Sequence, residues 1–463
     1  MLCDHMVTLG VYGLIIKDKK ILIDEDENFL QMQIDSNRES GACSSVGFAC
    51  VLIALYVSFY YNVIIAWSIF YVYCSFQNPL PWTTCGNYWN SKNCQSNSTN
   101  HQTNHTFPTD EFFERYVLQL NKSNGLDNIG LPDYRIMICL LITYFFHFMI
   151  LCKGVRSSGK AVWITATLPY VILVVLLVRG VLLPGSTDGI LYFITPNLSR
   201  LKDINVWIDA AIQVFYSVGA GFGVHVTFAS YNNRNKNFIR DCIITCLVNT
   251  FTSLLAGIVV FSYLGHLTVI RNGQNIKNVA IQGPGLVFSI YPEAVSKLEF
   301  PSFWAIFFFL MLISLGIDSA MGGFEAIITA VTDELSQYNY FMKHKKYCRY
   351  VVTFFAVTIS FFFSLPNITY ILIIASFISN DELIYESSSV GTFKYPVWII
   401  VIGWLISASS ILAIPLYAIY MYFTFSGTPR MRIALMISPE YEHDQIKKNG
   451  VAERLKLKHW ISI

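Results

Sequence analysis

The sequence predicts an all-α protein that crosses a membrane several times. Of its 463 residues, 54% are hydrophobic and 13% are charged, and the mean hydropathy is +0.47. Soluble domains carry about 25% charged residues, so an ordinary soluble enzyme and a disordered chain are both excluded. The apolar residues also form long blocks, and about 20 consecutive apolar residues span a bilayer. A net charge of +2 gives no basis for nucleic-acid binding.

Eight apolar blocks are predicted to span the membrane. One of them, Tyr350–Ser379, is longer than a single straight crossing needs and contains Pro366, so we expect one kinked helix there. The eight predicted spans are Val46–Phe76, Tyr134–Cys152, Ala161–Leu183, Val206–Tyr231, Asp241–Leu267, Ser302–Ala330, Tyr350–Ser379 and Val397–Phe425.

Basic residues predict the orientation, because Lys and Arg accumulate in short cytoplasmic loops. Basic loops follow the second, fourth and sixth predicted spans, and the tail 426–463 is also basic, so both termini are predicted to be cytoplasmic. Residues 1–45 are then a non-spanning cytoplasmic segment, since the run Val7–Ile16 is too short to cross, and residues 46–425 form the transmembrane domain. A seven-span receptor, the alternative, would need its N-terminus outside, against this charge bias.

The segment 77–133 is therefore predicted to be a large outer loop. Cys85 and Cys94 would meet an oxidising lumen during synthesis, so they form either a short disulfide loop or two free thiols. Four glycosylation sequons fall on the predicted outer side. Their asparagines are Asn97, Asn104, Asn121 and Asn197.

Small residues interrupt the fourth predicted span. Gly219, Gly221 and Gly223 stand at alternate positions, and each costs about 1 kcal/mol of helix propensity relative to Ala. This pattern favours unwinding, which would expose carbonyls and half-helix ends to an ion or substrate. The alternative is close helix packing through small residues.

Polar residues recur one helical turn apart in the fourth and fifth predicted spans. Gln213 and Ser217 form one such pair, and Asn249 and Ser253 form the other. Their donors can face an anion, and their oxygens can ligate Na⁺. Interhelical hydrogen bonding is the third interpretation, and spacing alone favours it.

The sixth predicted span contains a carboxylate, which is costly in a membrane and marks an ion path or ligand site by default. Oxygens of Asp318, Ser319 and a nearby carbonyl suit Na⁺, whereas a structural buried Asp is the alternative. Glu325 lies two turns further on the same face. The sequence shows no catalytic constellation, so we predict neither enzyme activity nor an organic cofactor.

Several of these stretches resemble the sodium- and chloride-dependent neurotransmitter symporter family, in particular its monoamine branch. The resemblance implies an inverted-repeat fold of twelve spans, of which about eight are present in this sequence; the family's first, second and tenth spans have no counterpart. The matching stretches include Tyr56–Trp67 (YVSFYYNVIIAW), Leu80–Cys94, Gly154–Tyr170, Trp207–Asn232, Leu312–Glu334 (with SLGIDSAMGG) and Tyr395–Ile463.

The resemblance also implies roles for individual residues. It pairs Cys85 with Cys94 in a disulfide and places Asp333 in an inner gate. Its substrate residues would be Val57, Tyr61, Tyr216, Phe222, Ser319, Ala320 and Gly323. Its chloride site would be Gln213, Ser217, Asn249 and Ser253. Its sodium ligands would be Ser217 and Asn249 in one site and Leu315, Asp318 and Ser319 in the other.

The function implied by the resemblance is Na⁺- and Cl⁻-coupled symport of a dopamine-like monoamine across the plasma membrane. Na⁺ and Cl⁻ would be co-transported ions, and the lipid bilayer rather than a nucleic acid would be the surrounding partner. Because the family's first span supplies ligands to both sodium sites, the alternative is a truncated, non-transporting form. Such a form would act in a homo- or hetero-oligomer with a full-length carrier.

Overall fold

The computed structural model of the protein describes most of the chain between its two terminal segments. The predicted N-terminal segment and the end of the predicted tail fall mainly outside the described residues, so their cytoplasmic placement stays a prediction. The described residues are 41–95, 106–122, 131–231, 238–271, 276, 283–336, 338, 343–369, 384–387, 391–394 and 397–437.

The described residues are nearly all helical, as predicted. The α-helices are α1 (Gly41–Ser75), α2 (Pro108–Glu111), α3 (Tyr134–Leu151), α4 (Val155–Val181), α5 (Ser186–Ile194), α6 (Ile204–Val218), α7 (Val224–Ser230), α8 (Phe238–Ile270), α9 (Tyr291–Ser296), α10 (Pro301–Leu335), α11 (Lys345–Ser364), α12 (Val397–Thr424) and α13 (Pro429–Ile437). Short 3₁₀ and π turns are Pro81–Thr83, Phe112–Val117, Leu120–Lys122, Leu198–Lys202, Leu286–Ile290 and Leu365–Ile368. One antiparallel hairpin pairs β1 (Ile384–Ser387) with β2 (Gly391–Lys394).

In the described part of the chain, 7 helices are long and apolar enough to cross a membrane. They coincide with all the predicted spans except the fourth, and they identify the chain as a multi-pass membrane protein. The fourth predicted span, Val206–Tyr231, is divided between α6 and α7, neither of which is long enough to cross alone.

The seventh predicted span also differs from expectation. α11 ends at Ser364, and the chain continues as a 3₁₀ turn that contains Pro366. Proline lacks the N–H that continues an α-helix, so the α-helix stops there instead of kinking and going on. Residues 370–379 of the predicted span lie outside the described residues.

The core of the helical domain forms around α10, the most deeply buried of the spans. It packs on α1, α4 and α11. At Gly316 a side chain would come within 2.5 Å of Ile65 in α1, so the absence of a Cβ lets these two helices approach closely. Large aromatic residues such as Trp67 and Phe309 fill the same core and are fully buried.

A buried tyrosine ties three spans into one unit. The hydroxyl of Tyr144 in α3 lies 2.6 Å from Ser364 Oγ in α11 and 3.1 Å from the carbonyl of Ser58 in α1. Buried polar groups are stabilising only when they are paired, and this network pairs groups from all three helices. It therefore supports the face of α1 on which Ser58 and Tyr61 stand.

Candidate functional site

The break between α6 and α7 lies at the glycines. Gly219, Gly221 and Gly223 have φ angles of 76°, 89° and 73°, which side chains with a Cβ rarely adopt. Gly219 closes α6 through hydrogen bonds from its amide to two carbonyls of the last turn, and Gly223 precedes α7. The sequence prediction that this span unwinds is confirmed. A Cβ at Gly221 would meet nothing within 4 Å among the described residues, whereas one at Gly223 would come within 3.0 Å of Cys50, so close packing on α1 accompanies the break at Gly223.

The broken span, α1 and α10 together enclose a central cavity. The space in it that is open to water is about 50 Å³, less than the roughly 300–1,000 Å³ of a typical small-molecule site. Three hydroxyls and an imidazole are the polar groups of its wall, and the remaining residues are small or apolar. The lining residues are Ala54, Val57, Ser58, Tyr61, Val218, Gly219, Phe222, Val224, His225, Ser319, Ala320 and Gly323.

The cavity brings together all of the predicted substrate residues except Tyr216. That tyrosine lies beside the cavity, with its hydroxyl 3.2 Å from the hydroxyl of Tyr60 and its ring centroid 5.6 Å from that of Phe222. Sequence reasoning missed Ser58 and His225. His225 could have been noticed as a polar residue two positions after Gly223, the last glycine of the break.

The four residues of the predicted chloride site are only partly brought together. Asn249 Nδ2 donates to Ser217 Oγ at 2.7 Å, across α8 and α6, and both residues are buried. Ser253 Oγ donates to the carbonyl of Asn249 in its own helix, and Gln213 is half-buried one turn before Ser217. The Oδ1 atom of Asn249 is buried and has no hydrogen-bond partner among the described residues, so it is an oxygen still able to accept a donor or a cation.

Asp318 lies in the middle of α10 and is only 2% exposed. Its Oδ1 accepts a hydrogen bond from Thr165 Oγ1 in α4 at 3.0 Å. Asp318 and Leu315 line a small pocket between α4, α8 and α10. Ser319 lines the central cavity instead, and its buried Oγ has no hydrogen-bond partner among the described residues. Sequence reasoning did not select Thr165, because nothing local links it to Asp318.

The second carboxylate of α10 has a different environment. Glu325 accepts hydrogen bonds at 2.8 Å on both oxygens from the Arg349 guanidinium of α11, and Tyr231 lies 3.5 Å away, at the end of α7. Glu325 is 1% exposed, so it forms a buried ion pair and not a second part of the Asp318 site. Asp333, the predicted gate residue, is half-buried near the end of α10.

The predicted outer loop is held by a disulfide between Cys85 and Cys94. Glu111 braces the same loop by accepting hydrogen bonds from Asn90, Ser91 and Thr106. Burial raises the pKa of Glu111, but these hydrogen bonds outweigh burial and hold the pKa below its ordinary value.

The predicted glycosylation sites fall in two groups. Asn121 and Asn197 are exposed, as an acceptor must be, whereas Asn97 and Asn104 lie outside the described residues. Glycosylation at all four stays a prediction.

Asp110 makes the outer layer sensitive to pH. Burial first, and then the nearby charges of Glu293 and Glu114, raise the pKa of Asp110 from 3.8 to about 7, although Arg271 and Ser289 act in the opposite direction. The folded protein therefore holds this proton more tightly than the unfolded chain, and stability falls as the pH rises from about 4 to about 7.

The substitution Asp110→Asn should remove this pH dependence. We expect the variant to melt several degrees above the wild type at pH 8 and close to it at pH 4, in thermal unfolding of the purified protein. The exposed Asp188 offers a control, because Asp188→Asn should keep the wild-type profile. Equal melting of wild type and Asp110→Asn at pH 8 would contradict this expectation.

A set of membrane-spanning helices with one broken span beside a central cavity defines a class of protein. Irregular backbone at membrane depth is tolerated where it lines such a cavity, and discontinuous helices of this kind form the midplane sites of secondary transporters. The fold and the site together are those of a membrane transporter.

Comparison with known proteins gives the family. Residues 36–372 match the model of the sodium:neurotransmitter symporter family. The chain is 37% identical to the sodium-dependent dopamine transporter of Bos taurus, over 88% of this chain and 67% of the relative. It is 38% identical to the sodium-dependent serotonin transporter of Drosophila melanogaster, over 86% of this chain and 73% of the relative.

The chain belongs to the sodium:neurotransmitter symporter family. Members of this family are transporters that move a neurotransmitter together with sodium, and they are not enzymes. The family resemblance predicted from the sequence is confirmed, and so is the prediction that the chain is not an enzyme.

Proposed function

We propose that this protein is a sodium- and chloride-coupled symporter of a dopamine-like monoamine. The observation that carries the proposal is the central cavity, in which Tyr61 and Phe222 of two opposed elements meet Ser319 of α10. Aromatic faces attract an ammonium group, and a hydroxyl can accept its hydrogen bonds or those of a substrate hydroxyl. The remaining predicted substrate residues, Val57, Ala320 and Gly323, are small or apolar and line the same cavity.

The positions of the buried oxygens support sodium coupling. Asp318 supplies a negative charge in α10, and the carbonyl of Leu315 and the hydroxyl of Ser319 lie within one turn of it. A desolvated cation needs such charged and neutral oxygens around it to offset the loss of its hydration shell. Asn249 Oδ1 and Ser217 Oγ are the corresponding oxygens of the second proposed sodium site.

Chloride is proposed for the neighbouring set of donors. The donors lie on the facing helices α6 and α8, and they are the hydroxyls of Ser217 and Ser253 and the amides of Gln213 and Asn249. If these side chains rotated out of their present hydrogen bonds, their O–H and N–H groups could donate to an anion. The contact between Asn249 and Ser217 supports this proposal, because it already joins the two helices at that level.

We place the protein in the plasma membrane with both termini cytoplasmic and the loop 77–133 outside. Asn121 and Asn197 are exposed on segments that this arrangement places outside. Removal of N-linked sugars should increase the gel mobility of the expressed protein, and Asn121→Gln with Asn197→Gln should reduce that shift. Asp333, the proposed inner gate residue, lies near the C-terminal end of α10.

Transport is tested with the purified chain in liposomes. Uptake of radiolabelled dopamine should require an inward Na⁺ gradient, and it should fall when gluconate replaces Cl⁻ or when N-methylglucamine replaces Na⁺. Protein-free liposomes and liposomes without a gradient are the controls. Unlabelled serotonin and an amino acid added as competitors separate monoamine selectivity from general uptake.

Two results would overturn parts of the proposal. Uptake that stays the same when chloride is replaced would contradict the proposed chloride coupling. Absence of any sodium-dependent uptake, together with lower uptake by a co-expressed full-length relative, would favour the alternative of a non-transporting chain that associates with a complete carrier.

A further inference from the structure

The imidazole of His225 joins the two halves of the broken span. His225 is the second residue of α7, is half-buried and lines the central cavity. Its Nε2 lies 2.5 Å from the carbonyl oxygen of Val218, the last residue of α6. Because a carbonyl only accepts hydrogen bonds, Nε2 carries the proton and donates it.

This contact exists only because the helix is broken. In a continuous α-helix the two residues would be seven positions apart, about 10 Å along the axis at 1.5 Å per residue, beyond the reach of an imidazole. The carbonyl of Val218 would then accept from the amide of Phe222. In the structure that amide bonds to the carbonyl of Gly219 at 3.3 Å, and the imidazole takes its place at Val218.

The hydrogen bond from His225 to Val218 therefore replaces one of the backbone hydrogen bonds that unwinding removes. Carbonyls at a helix end need a partner when they are shielded from water. The carbonyls of Phe215 and Tyr216 accept from the amides of Gly219 and Ala220, at the start of the glycine segment. The carbonyl of Val218 is satisfied from the second half-helix instead, so this hydrogen bond crosses the whole glycine segment.

We propose that His225 is a positioning residue that fixes α7 relative to α6 and so holds the cavity wall in its binding geometry. Gly219 and Phe222 lie between the two ends of the bond and line the cavity. Without the bond, the two half-helices lose this link across the glycine segment, and we expect the wall to lose its fixed shape. The effect on substrate affinity rests on the proposed function, whereas the effect on the position of α7 does not.

A thiol next to α7 reports its position. Cys50 of α1 is a free, half-buried cysteine. A Cβ placed on Gly223 would lie 3.0 Å from the Cβ of Cys50. The beginning of α7 therefore covers Cys50, and displacement of α7 would expose the thiol. Cys242 of α8 is exposed and free, and it serves as an internal reference in the same chain.

The experiment measures the rate at which N-ethylmaleimide modifies Cys50 in the full chain, quantified by peptide mass spectrometry. His225→Leu removes the donor at similar size, and His225→Gln keeps an N–H donor on a chain of similar reach. We expect His225→Leu to raise the Cys50 rate at least threefold and His225→Gln to stay near the wild type, with the Cys242 rate unchanged in both.

Equilibrium binding of radiolabelled dopamine to the same preparations is the second measurement. We expect His225→Leu to weaken binding at least fivefold at an unchanged number of sites, and His225→Gln to restore it. If no variant and no wild-type protein binds dopamine, the proposed substrate is wrong, but the Cys50 rates still decide the role of His225.

Two outcomes would overturn the inference. One is a wild-type Cys50 rate in His225→Leu, and the other is an equal rise in His225→Leu and His225→Gln, which would assign the residue a space-filling role. Should His225→Leu fail to give folded protein, His225→Ala makes the same prediction, because it also removes the donor.

Discussion

Replacing Asp318 with asparagine should weaken the stabilisation of the protein by sodium while leaving its fold intact. The asparagine keeps an oxygen that can accept the hydrogen bond from Thr165 Oγ1, now 3.0 Å from Asp318 Oδ1, so the contact between α4 and α10 is preserved. What the substitution removes is the negative charge, and a desolvated cation depends on that charge.

The measurement compares melting temperatures in NaCl and in choline chloride of equal concentration. A ligand that binds only the folded state stabilises it by about 1.4 kcal/mol when its concentration is ten times its dissociation constant. We expect a clear upward shift with sodium for the wild type and a smaller one for Asp318→Asn, because the second proposed sodium site at Ser217 and Asn249 is unchanged. Asp209→Asn removes the same charge from an exposed position on α6 and should keep the wild-type shift.

Asp318 could instead be a purely structural residue, and the same measurement distinguishes the two roles. A structural carboxylate predicts that Asp318→Asn lowers the melting temperature equally in both salts and keeps the difference between them. Retention of the full sodium shift in this variant would therefore remove Asp318 from the proposed sodium site.

The spans were predictable because hydrophobicity is a local property that each segment carries by itself. The same holds for the break at Gly219, Gly221 and Gly223, since three glycines at alternate positions weaken any helix wherever it packs. The end of α11 at Ser364 was not predicted, because the apolar run continues past Pro366. Hydropathy does not show that proline lacks the backbone N–H needed to continue the helix.

The polar contacts of the site could not be predicted, because each joins residues far apart in the sequence. Thr165 and Asp318 are separated by 153 positions, and Asn249 and Ser217 by 32. Spacing within one helix placed Asp318 and Glu325 on one face. The fold gives them different partners, since Glu325 forms an ion pair with Arg349 of α11 and Asp318 accepts a hydrogen bond from Thr165 of α4.

Replacing Glu325 with glutamine should destabilise the protein more than any other single change discussed above. The side chains of Glu325 and Arg349 are 1% and 16% exposed, and the substitution leaves the half-buried guanidinium without its counter-charge. Breaking one partner of a buried ion pair costs about 3–5 kcal/mol. We expect the melting temperature, measured by size-exclusion chromatography after heating, to fall by roughly 5 °C or more.

A double substitution tests whether the loss comes from the unpaired charge. Glu325→Gln combined with Arg349→Gln removes both charges and should recover much of the stability, giving a coupling energy between the two sites. Glu334→Gln, at an exposed position on the same helix, should change the melting temperature little. If the double variant loses as much stability as the two single variants added together, the ion pair contributes nothing beyond its separate side chains, and the junction between α10 and α11 must depend on other contacts.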